Sequence, residues 1–187
     1  MNYYIRHSKK EDCYILSKTL RKEDTQELFA SSGDNPAQAL IKAYLCSHKH
    51  CFSMMLDGDV VGMFGINEIN KNVGVPWLMG SPDLTKYKFE FYKLSIEYLN
   101  TFMDSYNVLF NYVDQRNTQA IRWLKSLGFQ FTKLVPEYGY EKKPFYEFIK
   151  ARYVGSSFCF NGSIRRNASP ASKPSGYGTS SSTKRCF

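Results

Sequence analysis

Four side chains of the types that bind transition metals lie close together in the sequence: Cys46, His48, His50 and Cys51. Thiolate and imidazole groups suit zinc, which takes four such ligands in tetrahedral geometry. The segment runs from a helical pattern into a strand pattern, so its side chains diverge, and it does not have the ligand spacing of known zinc sites. We therefore predict that these residues are structural and that the chain needs no metal.

The composition indicates a globular protein that is not secreted. Apolar residues make up 43% of the chain, including 14 Tyr and 14 Phe, which is enough for a folded core. The five cysteines are scattered and odd in number, a pattern that suits a reducing compartment better than a disulfide framework. No signal peptide is evident, and no apolar run reaches the roughly 18 residues of a membrane helix.

The positive charge is concentrated at the carboxyl terminus. Six basic and no acidic residues lie at 151–187, so that segment holds +6 of the formal net charge of +8 and residues 1–150 hold +2. The same segment contains nine Ser and four Gly. We predict a folded domain at 1–150 and a flexible or partner-bound tail at 151–187, in which Phe158–Phe160 could dock as a further hairpin arm.

The predicted elements of the first half are a strand, two helices and three more strands: Tyr3–Arg6, the segments after Ser8 and Asn35, Cys51–Leu56, Val60–Ile66 and Val73–Met79. Ser8 and Glu11 have the spacing of a capping box, which predicts the start of the first helix. Asp57-Gly58 between two apolar runs favours a type I′ hairpin. Pro76 predicts that the strand Val73–Met79 is an edge strand, is bulged or parts from a neighbour.

The second half predicts a long helix, a strand, a short helix and two strands: 85–105, Val108–Val113, Asn117–Leu127, Gln130–Val135 and Phe145–Ile149. Asn117 and Gly128 are typical of the two ends of the short helix. The whole order is that of a mixed α/β domain built on a central sheet.

Four stretches resemble landmarks of the GNAT family of N-acetyltransferases: the strand and helix start around Ile5–Asp12, the Leu56–Ile66 hairpin, the strand Asn111–Val113, and Asn117–Phe129 with its N-x-x-A-I and closing G-F. The resemblance covers about residues 1–150. It implies a GNAT-like mixed central β-sheet flanked by helices, with a β-bulged and splayed central strand.

A narrower resemblance lies in PWLMGSPDL (Pro76–Leu84) and in the later NYV, RN and AIRWLKSLGF strings. These are similar to the small internal virion protein A family of T7-like podophages. The resemblance implies a role in virion morphogenesis, other phage virion proteins as partners, and a location in the virion and the host cytoplasm. The basic tail then has three interpretations: no partner, contact with packaged nucleic acid, or folding onto another virion protein.

The GNAT resemblance also implies acetyl-CoA as cofactor, with its diphosphate on backbone N–H groups of a glycine-rich loop at a helix start. Of that loop only Gly80 remains. Pro82 has no N–H to donate, and Asp83 adds a charge that disfavours an anion by about 1 kcal/mol. We predict a degraded cofactor site, whose candidate residues are Met79, Gly80, Ser81, Lys86 and Asn117.

Acetyl transfer also requires a general acid and a general base. Leu124 stands where the family often has a tyrosine acid, which leaves Tyr112 as the candidate acid. Glu68, at a strand end, is the candidate base or simply a solvated carboxylate, and Asn117 either orients the cofactor or caps a helix.

Two hypotheses follow from these residues. The first is a GNAT-fold phage protein with a degraded acetyl-CoA site. The alternative is an active N-acetyltransferase that acetylates a protein or small-molecule amine. A nucleic-acid-binding module is a third interpretation, which no recognised motif supports.

Overall fold

The computed structural model describes residues 2–152, and these contain seven strands: Tyr3–His7 (β1), Cys51–Leu56 (β2), Asp59–Asn70 (β3), Val73–Gly80 (β4), Val108–Asp114 (β5), Gln130–Tyr138 (β6) and Lys143–Ala151 (β7). The α-helices are Lys10–Ser17 (α1), Lys22–Ser32 (α2), Pro36–Ser47 (α3), Lys88–Ser105 (α4) and Thr118–Ser126 (α5), and short 3₁₀ turns occupy His48–His50 and Pro82–Tyr87. The strands form one sheet in the order β1-β2-β3-β4-β5-β7-β6. The predicted mixed α/β architecture is therefore confirmed.

The β2–β3 hairpin forms where the sequence predicts it. Asp57 and Gly58 join the two strands with φ angles of 49° and 99°, and two successive positive φ angles are the mark of a type I′ turn. The long α4 then carries the chain from β4 to β5, which are parallel, whereas the other paired strands described here are antiparallel. A crossover helix is the usual connection between parallel strands.

Each face of the sheet packs against its own helices. On one face α1, α2 and α3 cover Met63, Trp77 and Met79. On the other, α4 and α5 cover Leu109 and Phe148. Because side chains alternate between the faces along a strand, β3 contributes Met63 to the first core and Ile66 to the second.

Three sequence-based predictions of elements need correction. Helix α2 was not predicted, because Lys22–Ser32 is mostly polar and only Leu28 and Ala30 among its apolar residues are buried. Ser8 does not cap α1: the helix begins at Lys10, the N–H of Lys9 just before it donates to Oδ2 of Asp12 at 2.8 Å, and the Ser8 hydroxyl accepts from the Ser53 hydroxyl. The long helix starts at Lys88 rather than 85, after the 3₁₀ turn.

The predicted tail, apart from Ala151 and Arg152, lies outside the described residues, as does the proposed arm at Phe158–Phe160. Its three interpretations therefore stay predictions. Within residues 2–152, none of the helices has the length and apolar character needed to span a bilayer.

Candidate functional site

Strands β4 and β5 part after a short paired segment. They pair only at Val73–Val108 and Gly74–Leu109, and the gap that opens beyond is bridged by the side-chain amide of Asn111, which donates to the Pro76 carbonyl at 3.0 Å. Since Pro76 has no N–H, its carbonyl is the one ladder group it offers to the gap. The predicted splayed strand is thus confirmed, and a side chain of this chain bridges the gap.

A cavity of about 470 Å³ passes through this gap. Its walls combine residues from both sides of the sheet, including Trp77 and Tyr112 on the α1–α3 side and Leu78, Leu94 and Leu124 on the α4–α5 side. A volume of this size lies in the range of small-molecule sites. The cavity joins the two faces of the sheet and is the natural place for a ligand.

The turn after β4 offers few free N–H groups at the mouth of the gap. The Ser81 N–H donates to the Val61 carbonyl at 2.9 Å, and Pro82 has none. The Asp83 N–H donates to the Ser81 hydroxyl at 3.3 Å, and the Leu84 N–H to the Ser81 carbonyl at 3.2 Å. These N–H groups of the turn are therefore hydrogen-bonded to acceptors within the protein. At an anion-binding helix start they would be free to bind the anion.

The Gly80 N–H is also occupied, by a residue that sequence reasoning missed. It donates to Oδ2 of Asp24 at 3.0 Å, while the Gly80 carbonyl accepts from the Arg21 N–H at 3.0 Å. A carboxylate of α2 thus takes the backbone donor that a phosphate would need.

Asp24 is held firmly in this position. Its side chain is only 6% exposed and forms an ion pair with Arg21 at 2.8 Å. Burial raises the pKa of Asp24, while the Arg21 charge and the Gly80 N–H act in the opposite direction. With both ladder groups of Gly80 paired, α2 covers the end of the β4 edge.

Glu27 lies one helical turn after Asp24 and also lines the cavity. Its Oε2 accepts a hydrogen bond from the Asn117 side-chain amide at 2.7 Å. Burial, reinforced by the charges of Asp24 and Asp114, raises the pKa of Glu27 to about 8. Burial thus favours the protonated form of this carboxyl group at neutral pH.

Asn117 lies where the motif places it, at the start of α5. Its side-chain oxygen accepts from the Ala120 N–H at 3.2 Å, as a helix cap does, and its nitrogen is engaged with Glu27. The residue is 3% exposed. Asn117 therefore acts as a cap and as a link between α2 and α5.

Tyr112, the predicted acid, lines the cavity from β5. Its hydroxyl donates to Oε2 of Glu147 at 2.8 Å, and its ring stacks on Tyr138 at 4.5 Å between centroids. Burial and the Glu147 carboxylate raise the pKa of Tyr112 well above its usual value. The phenol keeps its proton and directs it toward Glu147.

Glu68, the predicted base, lies at the opposite end of the gap. It pairs across the sheet with Gly74, where β4 and β5 are still joined, and its Oε2 accepts from the Tyr106 hydroxyl at 3.1 Å. It is not among the residues that line the cavity. Glu68 and Tyr112 are therefore not brought together at one point of the cavity.

The remaining candidate residues are distributed around the end of β4. Met79 and Ser81 are buried, and Met79 lines the cavity. Lys86 is 68% exposed and pairs with Asp83 at 2.6 Å, so each neutralises the other. Leu124, which replaces the tyrosine acid, lines the cavity from α5.

The turn between β6 and β7 is anchored to the end of α2. The N–H groups of Tyr140 and Glu141 donate to Ser31 at 3.1 Å and Ala30 at 3.0 Å. Gly139 has φ 67°, and a side chain there would lie 2.5 Å from the Ser31 carbonyl. This contact ties two cavity-lining segments to each other.

Among the side chains that the structure describes, which do not include that of His48, no group of three or more potential ligands is placed to hold a metal ion. Cys51 is a buried thiol, and burial raises its pKa to about 11. A protonated thiol is a poor metal ligand.

Sequence reasoning missed Arg21, Asp24 and Glu27, because their helix was not predicted. The available signal was Gly33, which ends α2 with φ 75° and is typical of the residue after a helix. The i, i+3 spacing of Arg21 with Asp24 and of Asp24 with Glu27 places all three on one helical face.

The sequence profile of the bacteriophage T7 probable scaffold protein Gp13 matches residues 76–138. This stretch begins within β4 and ends with β6, so it contains the gap and most of the α4–α5 face. No curated protein matches the chain at a significant level.

Solved acetyltransferase structures are similar over most of the chain. Ard1 from Thermoplasma volcanium has a TM-score of 0.63 at 18% identity, over 81% of this chain and 98% of that one. YncA from Salmonella typhimurium, a putative acetyltransferase solved with acetyl-CoA, has 0.59 at 15%, over 85% and 100%. The ribosomal-protein-S18-alanine N-acetyltransferase from Escherichia coli has 0.60 at 12%, over 85% and 100%. The chain therefore has the GNAT fold, and identities this low bear on the fold alone.

Proposed function

We propose that this chain is a GNAT-fold phage protein that acts in particle assembly and does not transfer acetyl groups. The observation that carries the proposal is the hydrogen bond from the Gly80 N–H to the Asp24 carboxylate. The similarity of residues 76–138 to a phage scaffold protein supports the phage context.

A diphosphate at Gly80 would have to displace Asp24 and break its pairing with Arg21. A negative charge within about 4 Å, such as that of Asp24, disfavours it by about 1 kcal/mol even at the dielectric constant of water. The neighbouring N–H groups cannot compensate, since those of Ser81, Asp83 and Leu84 already have acceptors. These terms all oppose binding of coenzyme A in the manner of the fold's enzymes.

In this proposal the domain is an internal virion or virion-morphogenesis protein. It is made in the host cytoplasm, enters the particle and binds other virion proteins there. An α/β domain whose gap is bridged by its own hydrogen bonds can present binding surfaces to other proteins. A fold can retain its architecture while the chemistry of its site is lost.

The direct test is calorimetric titration of the full chain with acetyl-CoA. We expect no binding heat at millimolar ligand, either in the wild-type chain or in Glu23→Gln, which removes an exposed charge from the same helix. Asp24→Asn removes the charge beside Gly80. If a variant gains affinity for acetyl-CoA, we expect it to be this variant alone. A micromolar Kd for the wild-type chain would overturn the proposal.

The assembly role has its own test. The protein should be detected by mass spectrometry in purified phage particles, and deletion of its gene should change their protein composition. Particles that lack the protein, together with an unchanged composition after deletion, would contradict this role.

The alternative, an active N-acetyltransferase, is favoured by one observation. Glu27 lines the cavity with a pKa raised to about 8, and a base with a pKa near the working pH suits proton removal from an amine. In that case Glu27, rather than Glu68, would be the base, and Tyr112 the acid. Coenzyme A release from acetyl-CoA, with a panel of peptide and polyamine acceptors, should then occur in the wild-type chain and be lost in Glu27→Gln.

A further inference from the structure

The apolar face of α5 is unusually open. None of its residues is buried, although Trp123, Leu124 and Leu127 belong to the core-facing side and line the cavity. From the facing helix, Leu94 and Tyr98 line the same space. Apolar side chains that border a cavity lose the contacts that close packing would provide, so this part of the molecule offers apolar surface to a ligand.

The two helices meet where Phe91 stacks on Trp123, at 4.5 Å between ring centroids. Lys88 lies one turn before Phe91 on α4, and Arg122 precedes Trp123 on α5; both residues line the cavity. Both are exposed, both border the cavity, and neither forms a salt bridge with another residue in 2–152.

The acidic groups of the cavity lie elsewhere. Its lining carboxylates are Asp24 and Glu27, both on α2. Asp24 is paired with Arg21, and Glu27 is engaged with Asn117. The cavity therefore has an apolar interior and, on the α4–α5 side, two cations that form no salt bridge within residues 2–152, although the Lys88 ammonium lies 5.3 Å from the Phe89 ring centroid.

We propose that the cavity binds a single-chain amphiphile with an anionic head group, such as a medium-chain fatty acid. The alkyl chain lies among Leu94, Tyr98 and Leu124, and the carboxylate pairs with Lys88 and Arg122. A volume of about 470 Å³ is within the range of sites for such ligands. The inference rests on the proposed function, because a bound coenzyme A would occupy the same space.

Calorimetry with octanoate, decanoate and dodecanoate, below their critical micelle concentrations, tests the alkyl part. We expect the Kd to fall roughly fourfold for each added methylene while the chain still fits, as burial of a CH₂ group predicts. Leu124→Trp, which fills the cavity, should weaken dodecanoate at least tenfold. A Kd that is independent of chain length, or no binding of dodecanoate, would overturn the inference.

The head-group assignment is tested with the double variant Lys88→Gln/Arg122→Gln. Dodecanoate should bind at least tenfold more weakly to it, whereas neutral dodecanol should bind as before. The matched control is Lys93→Gln/Lys125→Gln, which removes the same charge from exposed positions of the same helices that do not border the cavity. An equal loss in both double variants would show nonspecific attraction and refute the site.

The two proposals fail in different ways. Binding of acetyl-CoA to the wild-type chain removes the proposed function and the inference with it. Absence of dodecanoate binding, with no acetyl-CoA binding either, removes only the inference.

Discussion

Replacement of Glu27 by glutamine should change how the stability of the domain depends on pH. The carboxyl group has a pKa raised from 4.5 to about 8 in the folded chain. Between these values the folded state retains a proton that the unfolded state has released. Stability contributed by the group is therefore fully present below about pH 4.5 and is lost as the pH rises through 8.

The size of the effect follows from the shift. At about 1.4 kcal/mol for each pKa unit, the shift corresponds to roughly 5 kcal/mol. Glu27 is only partly buried by surface area, and water near the carboxylate reduces the penalty of ionisation, so we expect about 2–3 kcal/mol. Glutamine retains an oxygen for the Asn117 amide but cannot ionise.

The assay is urea unfolding of the wild-type chain and Glu27→Gln at pH 5 and pH 8.5. The wild type should lose about 2–3 kcal/mol more than the variant between the two pH values. Groups that titrate in both proteins, including Asp24, largely cancel in this difference. Glu23→Gln, on the exposed side of the same helix, should keep the wild-type dependence. Parallel pH profiles for the wild type and Glu27→Gln would refute the assignment of the shift to burial at this position.

Two further predictions concern the contacts that hold α2 in place. Gly139→Ala should reduce the free energy of unfolding by at least about 2 kcal/mol in urea titration, because it combines a positive φ with a 2.5 Å approach to the Ser31 carbonyl; a loss below 0.5 kcal/mol would contradict the close contact. Asn117→Ala should reduce it by about 1–2 kcal/mol, since it removes the cap of α5 and the bond to Glu27; Thr118→Ala, at the adjacent exposed position, should have little effect, and an equal loss there would argue against the cap.

Much of the fold could be predicted from local patterns. Asp57-Gly58 identified the β2–β3 hairpin, and Pro76 indicated the parting of β4 from β5, because both residues restrict the backbone directly. Gly128 and Asn117 likewise marked the two ends of α5. These residues act on their own neighbours, so a sequence can report them.

The candidate site could be predicted only in part, because its main contacts join distant segments. Asp24 binds Gly80 across 56 positions, and Asn117 binds Glu27 across 90. Neither contact produces a periodic pattern in the sequence. Helix α2 is stabilised by these tertiary hydrogen bonds more than by a stripe of buried apolar residues. That Pro82 and Asp83 disfavour an anion site could be predicted from the sequence, whereas the Asp24 carboxylate that accepts from the Gly80 N–H could not.

The splay of β4 and β5 itself poses a physical problem that these contacts solve. Two parted strands leave ladder groups without partners, and buried backbone groups require partners in a stable fold. In this chain Asn111 serves the Pro76 carbonyl, and α2 serves both groups of Gly80. Along the polar edge of the gap, these backbone groups of β4 therefore form hydrogen bonds with the protein itself. We infer that the gap stays open without a cofactor. In the apolar interior of the cavity, no part of the described protein takes the place of a ligand in this way. We therefore expect a ligand there and not at the end of β4.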